Sequence, residues 1–377
     1  MNLLMISGDR QIVIGEKGPF YSMQREFSRY FDRIDVIVPK PSGPVRVSSI
    51  HGNVFFHPSD RPSRGLGKFV RSKGAELLAT HGHGLVVSHD YGRFAGGRAA
   101  AALAKKFSIP HVSELHHIAG EPVCESFAER VERFLARRYV AWAKDRVTAF
   151  RVVNDGPMPR LLRAWGVPPT KIAVLPSQYL DFEVFRPEGG SLDERFDVIF
   201  VGRMAAGKGV GRMLDALELC ESHGFSFRTL FVGKGPMRAG WMARAEQASL
   251  ATRWIEWVDA PEDLARLYRS SRLVLCASTC EGGPRFTVEA MACGVPCVST
   301  PVGIMEELLQ DGEAGRLCGF DVPSLSLALE TVLCDEPARR AMALAAVEKV
   351  QPFAYARAIG KYANGLRRMA GAPERTL

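Results

Sequence analysis

Two glutamates and two cations carry the chemistry available to this chain. Glu281 and Glu289, with seven residues between them, lie in LVLCASTCEGGPRFTVEAMACGVPCVST, Leu273 to Thr300. A carboxylate on a helix can take a vicinal ribose diol, as acidic residues do in dinucleotide sites, while one in a loop can reach a sugar hydroxyl. The spacing alone also fits two solvated glutamates near a helix start. Arg203 and Lys208 lie in VGRMAAGKGV, Val201 to Val210. Two preorganised cations stabilise the negative charge that builds on a departing diphosphate, each contact worth about 1.5–3 kcal/mol. His116 and His117 close PHVSELHH, where a histidine is either structural or faces a cleft.

These groups need elements to hold them. Leu273 to Ala277 is apolar and β-branched and reads as a buried strand, Ser278 to Gly283 as a loop, and Pro284 as the first helical position, where its missing N–H costs nothing. Both carboxylates can then face a pocket at the carboxyl end of a parallel strand, where open α/β sheets bind ligands. The helix start adds free N–H groups and a positive dipole end. Arg203 and Lys208 follow the strand FDVIFVG in the same way. Gly202 with Gly207 and Lys208 nearly spells a phosphate-binding P-loop, yet position 209 is glycine and lacks the hydroxyl that would bind magnesium. A P-loop-like nucleotide hydrolase is therefore the rival reading. Gly233 and Gly235 in VGKGPM form an incomplete G-x-G-x-x-G, weak support for a dinucleotide enzyme.

The text EGGPRFTVEAMACGVPCVSTPVG resembles the donor-binding segment of the retaining, nucleotide-sugar-dependent glycosyltransferases of GT-B architecture, family 4 of the glycosyl transferases group 1. The resemblance implies two facing doubly wound, Rossmann-like parallel-sheet domains with a cleft between them. It implies a UDP- or GDP-linked sugar as donor, with no metal or other cofactor. The donor-binding positions it points to are Gly202, Arg203, Lys208, Gly233, Val258, Glu281, Gly282, Gly283, Arg285, Phe286 and Glu289. Main chain around Trp257 and Val258 would meet the base. His116 and Glu281 would be the catalytic pair, with His117 as the fallback for His116. Gly15 and Gly18 would let backbone approach the diphosphate and acceptor, and Asp90 is a further candidate lining residue. Pro284 and the single glycine at Val302-Gly303-Ile304 depart from the family pattern. A non-catalytic sugar-nucleotide binder on the same scaffold is a second rival, opposed by the intact Arg203, Lys208, Glu281 and Glu289.

At 377 residues and 46% apolar content the chain is long enough for two domains. Strand and helix signals alternate throughout, as in parallel sheets covered on both faces. A stretch rich in Gly, Pro and charge, residues 179–195, reads as the linker. The expected division is 1–187 for the acceptor and 188–352 for the nucleotide sugar, with a helix over 353–377 crossing back. The first 187 residues carry a net charge of +10 and the rest −2. The excess gathers in RPSRGLGKFVRSKG, read as a basic loop with Arg61, Arg64, Lys68, Arg71 and Lys73, and in the amphipathic ERVERFLARRYVAWAKDR. Such segments can rest on an anionic membrane; the plainer reading is a solvated helix on its sheet. Neither carries a nucleic-acid recognition pattern. No apolar run reaches the roughly 20 residues of a membrane span. The start, MNLLMISGD, reads as a strand instead of a signal peptide. Eight scattered cysteines read as small buried hydrophobes in a reducing cytoplasm. The acceptor expected is a lipid-linked, saccharide or other hydroxyl compound of the cell envelope.

Overall fold

The computed structural model describes residues 1–190 and 192–377; Ser191, inside the expected linker, lies outside the described residues. The first sheet has eight strands: β1 (Asn2–Ile6), β2 (Arg33–Val38), β3 (Ser49–Ile50), β4 (Val54–Pro58), β5 (His83–His89), β6 (His111–Leu115), β7 (Ala149–Val152) and β8 (Ile172–Val174). Their order is β3-β4-β2-β1-β5-β6-β7-β8, parallel except for the short β3 against β4. The second sheet has six: β9 (Phe196–Val201), β10 (Thr229–Val232), β11 (Thr252–Ile255), β12 (Ser271–Cys276), β13 (Cys297–Ser299) and β14 (Gly315–Leu317). Its order, β11-β10-β9-β12-β13-β14, is that of a doubly wound dinucleotide-binding sheet. The chain order reverses at β1/β5 and at β9/β12, so each sheet opens a crevice at the carboxyl ends of those strands.

Helices cover both faces. The first domain uses α1 (Pro19–Phe27), α2 (Leu66–His81), α3 (Ala95–Phe107), α4 (Phe127–Ala143) and α5 (Pro157–Ala164). The second uses α6 (Val210–Ser222), α7 (Arg238–Gln247), α8 (Pro261–Arg269), α9 (Arg285–Ala292), α10 (Met305–Leu309), α11 (Val322–Cys334) and α12 (Glu336–Val350). With both faces covered, central strands such as NLLMI and SRLVLC are buried along nearly their whole length and show no polar alternation. The last helix, α13 (Tyr355–Met369), packs Ile359, Tyr362, Ala363 and Leu366 into the first-domain core beside Phe27 and Phe31. The chain thus crosses between domains twice, and the two crossings lie side by side: Leu180 N donates to Phe353 O at 2.7 Å and Tyr355 N to Leu180 O at 2.9 Å. Leu180 and Phe185 already belong to the second core.

Two local expectations need correction. RPSRGLGKFVRSKG is not a loop: from Leu66 onward it is α2, with Gly65 at its N-cap. Gly67 and Gly74 suggest a break in sequence, but α2 lies against α3, where a side chain at Gly67 would press on the backbone of Ala95 and one at Gly74 on Leu103. Pro284 is the N-cap of α9 and not its first helical residue, because its ψ of 113° is extended.

Candidate active site

The second-domain half of the site stands at the ends of β9, β10 and β12. After β9 the chain passes Gly202 and Arg203 and turns into α6 through Gly209, whose φ of +72° is left-handed. A side chain at position 209 would collide with the carbonyl of Ala277. The serine or threonine of a P-loop has no room there, which removes the basis of the hydrolase reading. Lys208 makes an ion pair with Glu281, and Ser278 Oγ donates to the same carboxylate oxygen at 3.0 Å. The two residues expected to act on leaving group and sugar therefore hold each other. Arg203 is exposed and lines a cavity of about 390 Å³ with Gly202, Gly233, Trp257 and Val258. Lys234 lies 5.2 Å over the Trp257 ring at its rim.

Glu289 stands apart from Glu281. One of its oxygens receives Arg285 Nε at 2.7 Å and the other Tyr268 OH at 3.2 Å. Burial raises its pKa, against the pull of Arg285. Arg285 also lies 4.8 Å over the ring of Tyr179, between the domains. Phe286 packs edge-on against Phe200 at 5.5 Å and is nearly buried, so its side chain belongs to the core and only its backbone is available to a ligand.

Across the cleft, His116 follows β6. Its Nε2 is 3.2 Å from Arg151 Nη1 and its ring lies 4.2 Å from that of His89. Burial, aided by the neighbouring His89 and Arg151, holds its pKa well below the ordinary imidazole value, so the ring is neutral at pH 7. His117 points the other way, within electrostatic reach of Glu281 and Lys208. His116 lines a cavity of about 420 Å³ with apolar walls from Met5, Phe20, Met23 and Ile359. Its polar floor joins three distant segments: Arg151 Nη1 donates to Glu114 Oε1 at 3.0 Å, and Tyr362 of α13 donates to the same oxygen.

The Glu281-Gly282-Gly283 loop closes against this half. Asn154 Nδ2 donates to Gly282 O at 3.2 Å and Gln178 Nε2 to Gly283 O at 2.8 Å. Gly282 lies so near the His116 carbonyl that any side chain would strike it. Arg160 pairs with Glu306 at 2.7 Å farther out. Gln178 is 6% exposed and its Oε1, at the edge of the His116 cavity, has no partner.

Lys208, Glu281, Gly282 and Gly283 are thus brought together, with the backbone of His116 against Gly282 and the His117 ring within reach of Glu281 and Lys208, while Gly202, Arg203, Gly233 and Val258 share a neighbouring cavity. Gly15 and Gly18 do not join them. Gly15 ends a single 3-10 turn with φ +98° and Gly18 caps α1, and the cavity wall nearby is formed by Gly8 and Asp9 instead. Asp90 lies beneath α3, with Oδ2 accepting from Ser88, Ser113 and Tyr139 at 2.6–2.8 Å. Sequence reasoning missed Gln178, Arg151 and Tyr362. Tyr362 carries no local signal, whereas Arg151 inside the apolar strand AFRVV was a visible anomaly. Among the described residues no group of three or more His, Cys, Asp or Glu is placed to hold a metal ion.

Comparison with known proteins bears on the family and the fold. Residues 181–349 match the family model described as glycosyl transferases group 1, and residues 20–178 match the glycosyl transferase 4-like domain. D-inositol 3-phosphate glycosyltransferase of Segniliparus rotundus is 28% identical over 317 residues, covering 78% of this chain and 69% of the relative. Sucrose-phosphate synthase from Thermosynechococcus elongatus superposes with a TM-score of 0.75 at 17% identity, covering 95% of this chain and 96% of that one. Anabaena HepE, solved in complex with UDP and glucose, superposes with a TM-score of 0.72 at 18% identity over 98% of this chain and all of its own.

Proposed function

The chain belongs to the glycosyl transferases group 1, and on that premise we propose that it moves a sugar from a nucleoside diphosphate donor to an acceptor hydroxyl with retention of configuration and without a metal. The observation that carries this reading is the Lys208–Glu281 pair at the mouth of β9 and β12, facing the backbone of His116 across the cleft. The donor lies on residues 188–352. Its base enters the cavity of Trp257 and Val258, its ribose meets Glu289, and its diphosphate meets Arg203 and Lys208. The sugar then reaches Glu281 and neutral His116. Arrival of the diphosphate releases Lys208 from Glu281, freeing one group for phosphate and the other for a sugar hydroxyl.

The acceptor oxygen forms its bond to the anomeric carbon on the face from which the diphosphate departs, and the hydroxyl proton passes to a phosphate oxygen of the leaving group. Arg203 and Lys208 stabilise the charge that develops there. Residues 1–187 with 353–377 bind the acceptor, a saccharide or lipid-linked hydroxyl compound of the cell envelope. HepE, which is solved with UDP and glucose, supports a uridine donor with GDP as the alternative. The exposed row Phe127, Val131, Phe134 and Leu135 on α4, flanked by Arg130, Arg137 and Arg138, supports peripheral contact with an anionic membrane. No helix among the described residues is long and apolar enough to cross one.

A thermal-shift screen against UDP, GDP, ADP, ATP and GTP, each with and without magnesium, tests the donor half. One diphosphate at about 100 times its dissociation constant should stabilise the fold by about 2.7 kcal/mol without metal. Shifts confined to magnesium triphosphates would overturn the reading.

A further inference from the structure

The cavity beside His116 does not end at Tyr91. A second cavity, about 420 Å³, shares Ile6, Ser7, His89 and Tyr91 with it and continues outward between the ends of β1 and β5 and the starts of α2 and α3. Arg10, Arg64 and Arg93 stand on its walls, each from a different segment. The acid nearest to Arg64 in sequence, Asp60, turns to Arg61 at 3.9 Å instead, and none of the three arginines is in an ion pair among the described residues. Ala95 and Gly96, the first turn of the 13-residue α3, form another wall. Phe94 at the N-cap supplies no capping side chain and holds a left-handed φ of 55°, unusual for an aromatic residue. The first-turn N–H groups and the positive end of the helix dipole are therefore left for a ligand.

Asp90 lines the cavity floor, 3% exposed, and its Oδ1 has no partner while Oδ2 takes three hydroxyls. An unpaired buried oxygen is costly unless a ligand satisfies it. A phosphate monoester offers a complementary set: oxygens for three guanidinium groups and backbone N–H donors, and an acidic hydroxyl for Oδ1. A neutral polyol would leave the arginines unused.

We propose that this outer cavity binds a phosphoryl group carried by the acceptor, placing the acceptor's reactive hydroxyl in the inner cavity beside His116. The assignment rests on the reading that the first domain binds the acceptor. A phosphoryl group could belong to a small soluble ester or to a lipid headgroup, and both present the same chemistry to Arg10, Arg64 and Arg93.

Calorimetric titration of the full chain, with a nucleoside diphosphate in excess to occupy Arg203 and Lys208, separates these cases. The probes are glycerol 3-phosphate, glycerol as its neutral counterpart, and vesicles of phosphatidylglycerol in phosphatidylcholine. Glycerol 3-phosphate should bind saturably and glycerol should not. Its Kd should rise at least tenfold in Arg64→Gln/Arg93→Gln and stay unchanged in Lys105→Gln/Lys106→Gln, which removes equal charge from the far end of α3. Vesicle binding that needs Arg64 and Arg93, without binding of glycerol 3-phosphate, supports the site and assigns the phosphoryl group to a lipid. Absence of phosphate-dependent binding in both arms, or equal loss in the Lys105/Lys106 variant, overturns the site. Binding of glycerol 3-phosphate through these arginines with no nucleoside diphosphate binding would instead overturn the glycosyl-transfer reading and leave the anion site standing.

Discussion

The two domains share a sheet architecture but carry their chemistry in different ways. In the second, the groups mostly sit on turns that follow their own strands, Arg203 after β9, Gly233 after β10, Val258 after β11 and Glu281 after β12, with Arg285 and Glu289 on the helix next along. In the first, the floor of the His116 cavity needs Glu114 from β6, Arg151 from β7 and Tyr362 from α13, nearly 250 residues away in sequence by the separation of 248 between Glu114 and Tyr362. A site made of consecutive turns, as proposed for the donor, leaves a readable signature. An acceptor site made of converging side chains can change its substrate by exchanging any one of them. At the cleft the second domain meets the first through the backbone carbonyls of Gly282 and Gly283, the Arg285 guanidinium over Tyr179 and the Glu306 carboxylate paired with Arg160.

This contrast can be broken most directly at Lys208. Lys208→Ala should lower turnover of the nucleotide sugar by about 100-fold or more, the scale of losing one preorganised charge donor, with an unchanged melting temperature. Near-wild-type turnover would sink the donor-site assignment. Glu289→Ala should lose as much turnover and also about 1–3 kcal/mol of stability, because Tyr268 and Arg285 lose their buried acceptor. Denaturant titration of both variants shows whether the second-domain residues separate into catalytic and supporting ones.

The next effect belongs to the first domain. Burial pushes the Asp90 carboxyl up to about 7, although Ser113, Ser88 and Tyr139 oppose the shift. A carboxyl with a raised folded-state pKa stabilises the fold fully below the unfolded value near 4, and that contribution is lost as pH rises through about 7. The slope is at most about 1.4 kcal/mol per pH unit. Asp90→Asn should flatten stability between about pH 4 and pH 7 in urea titrations; an identical slope in wild type and variant would refute the buried titration.

At the seam, Gln178→Leu removes the bond to Gly283 and the unpaired Oε1 together. Transfer to acceptor should fall about tenfold, equivalent to roughly 1.4 kcal/mol, with nucleotide affinity unchanged by calorimetry. A loss of nucleotide affinity instead would place Gln178 in the donor site and blur the division between the domains. The smallest change expected is on the outer surface. Phe127→Ser/Phe134→Ser should reduce sedimentation with anionic vesicles several-fold while altering stability by no more than about 0.5 kcal/mol. Equal sedimentation would remove α4 as the membrane contact.

Sequence legibility follows the same division. Thirteen of the fourteen strands coincide with apolar runs recognisable in the chain, and only the two-residue β3 is too short to carry a pattern. Strands buried on both faces must be continuously apolar, so their text is distinctive. The α2 segment reads as a loop because of its glycines, while its contact with α3 demands small residues. Gly15 and Gly18 have the backbone freedom that glycine has in any turn, whereas the cavity wall is formed by Gly8, against which Tyr91 is packed.

The sequence by itself determined the parallel-sheet class and the cation and carboxylate turns after β9 and β12, because hydrophobic periodicity and short-range turn chemistry are local properties of the chain. Only the tertiary structure decided that Lys208 rests on Glu281, that Glu289 is enclosed by Tyr268 and Arg285, and that His116 is held neutral beside His89. Each of these depends on burial and on partners brought together by folding, and desolvation energies belong to the folded surface and not to any stretch of sequence.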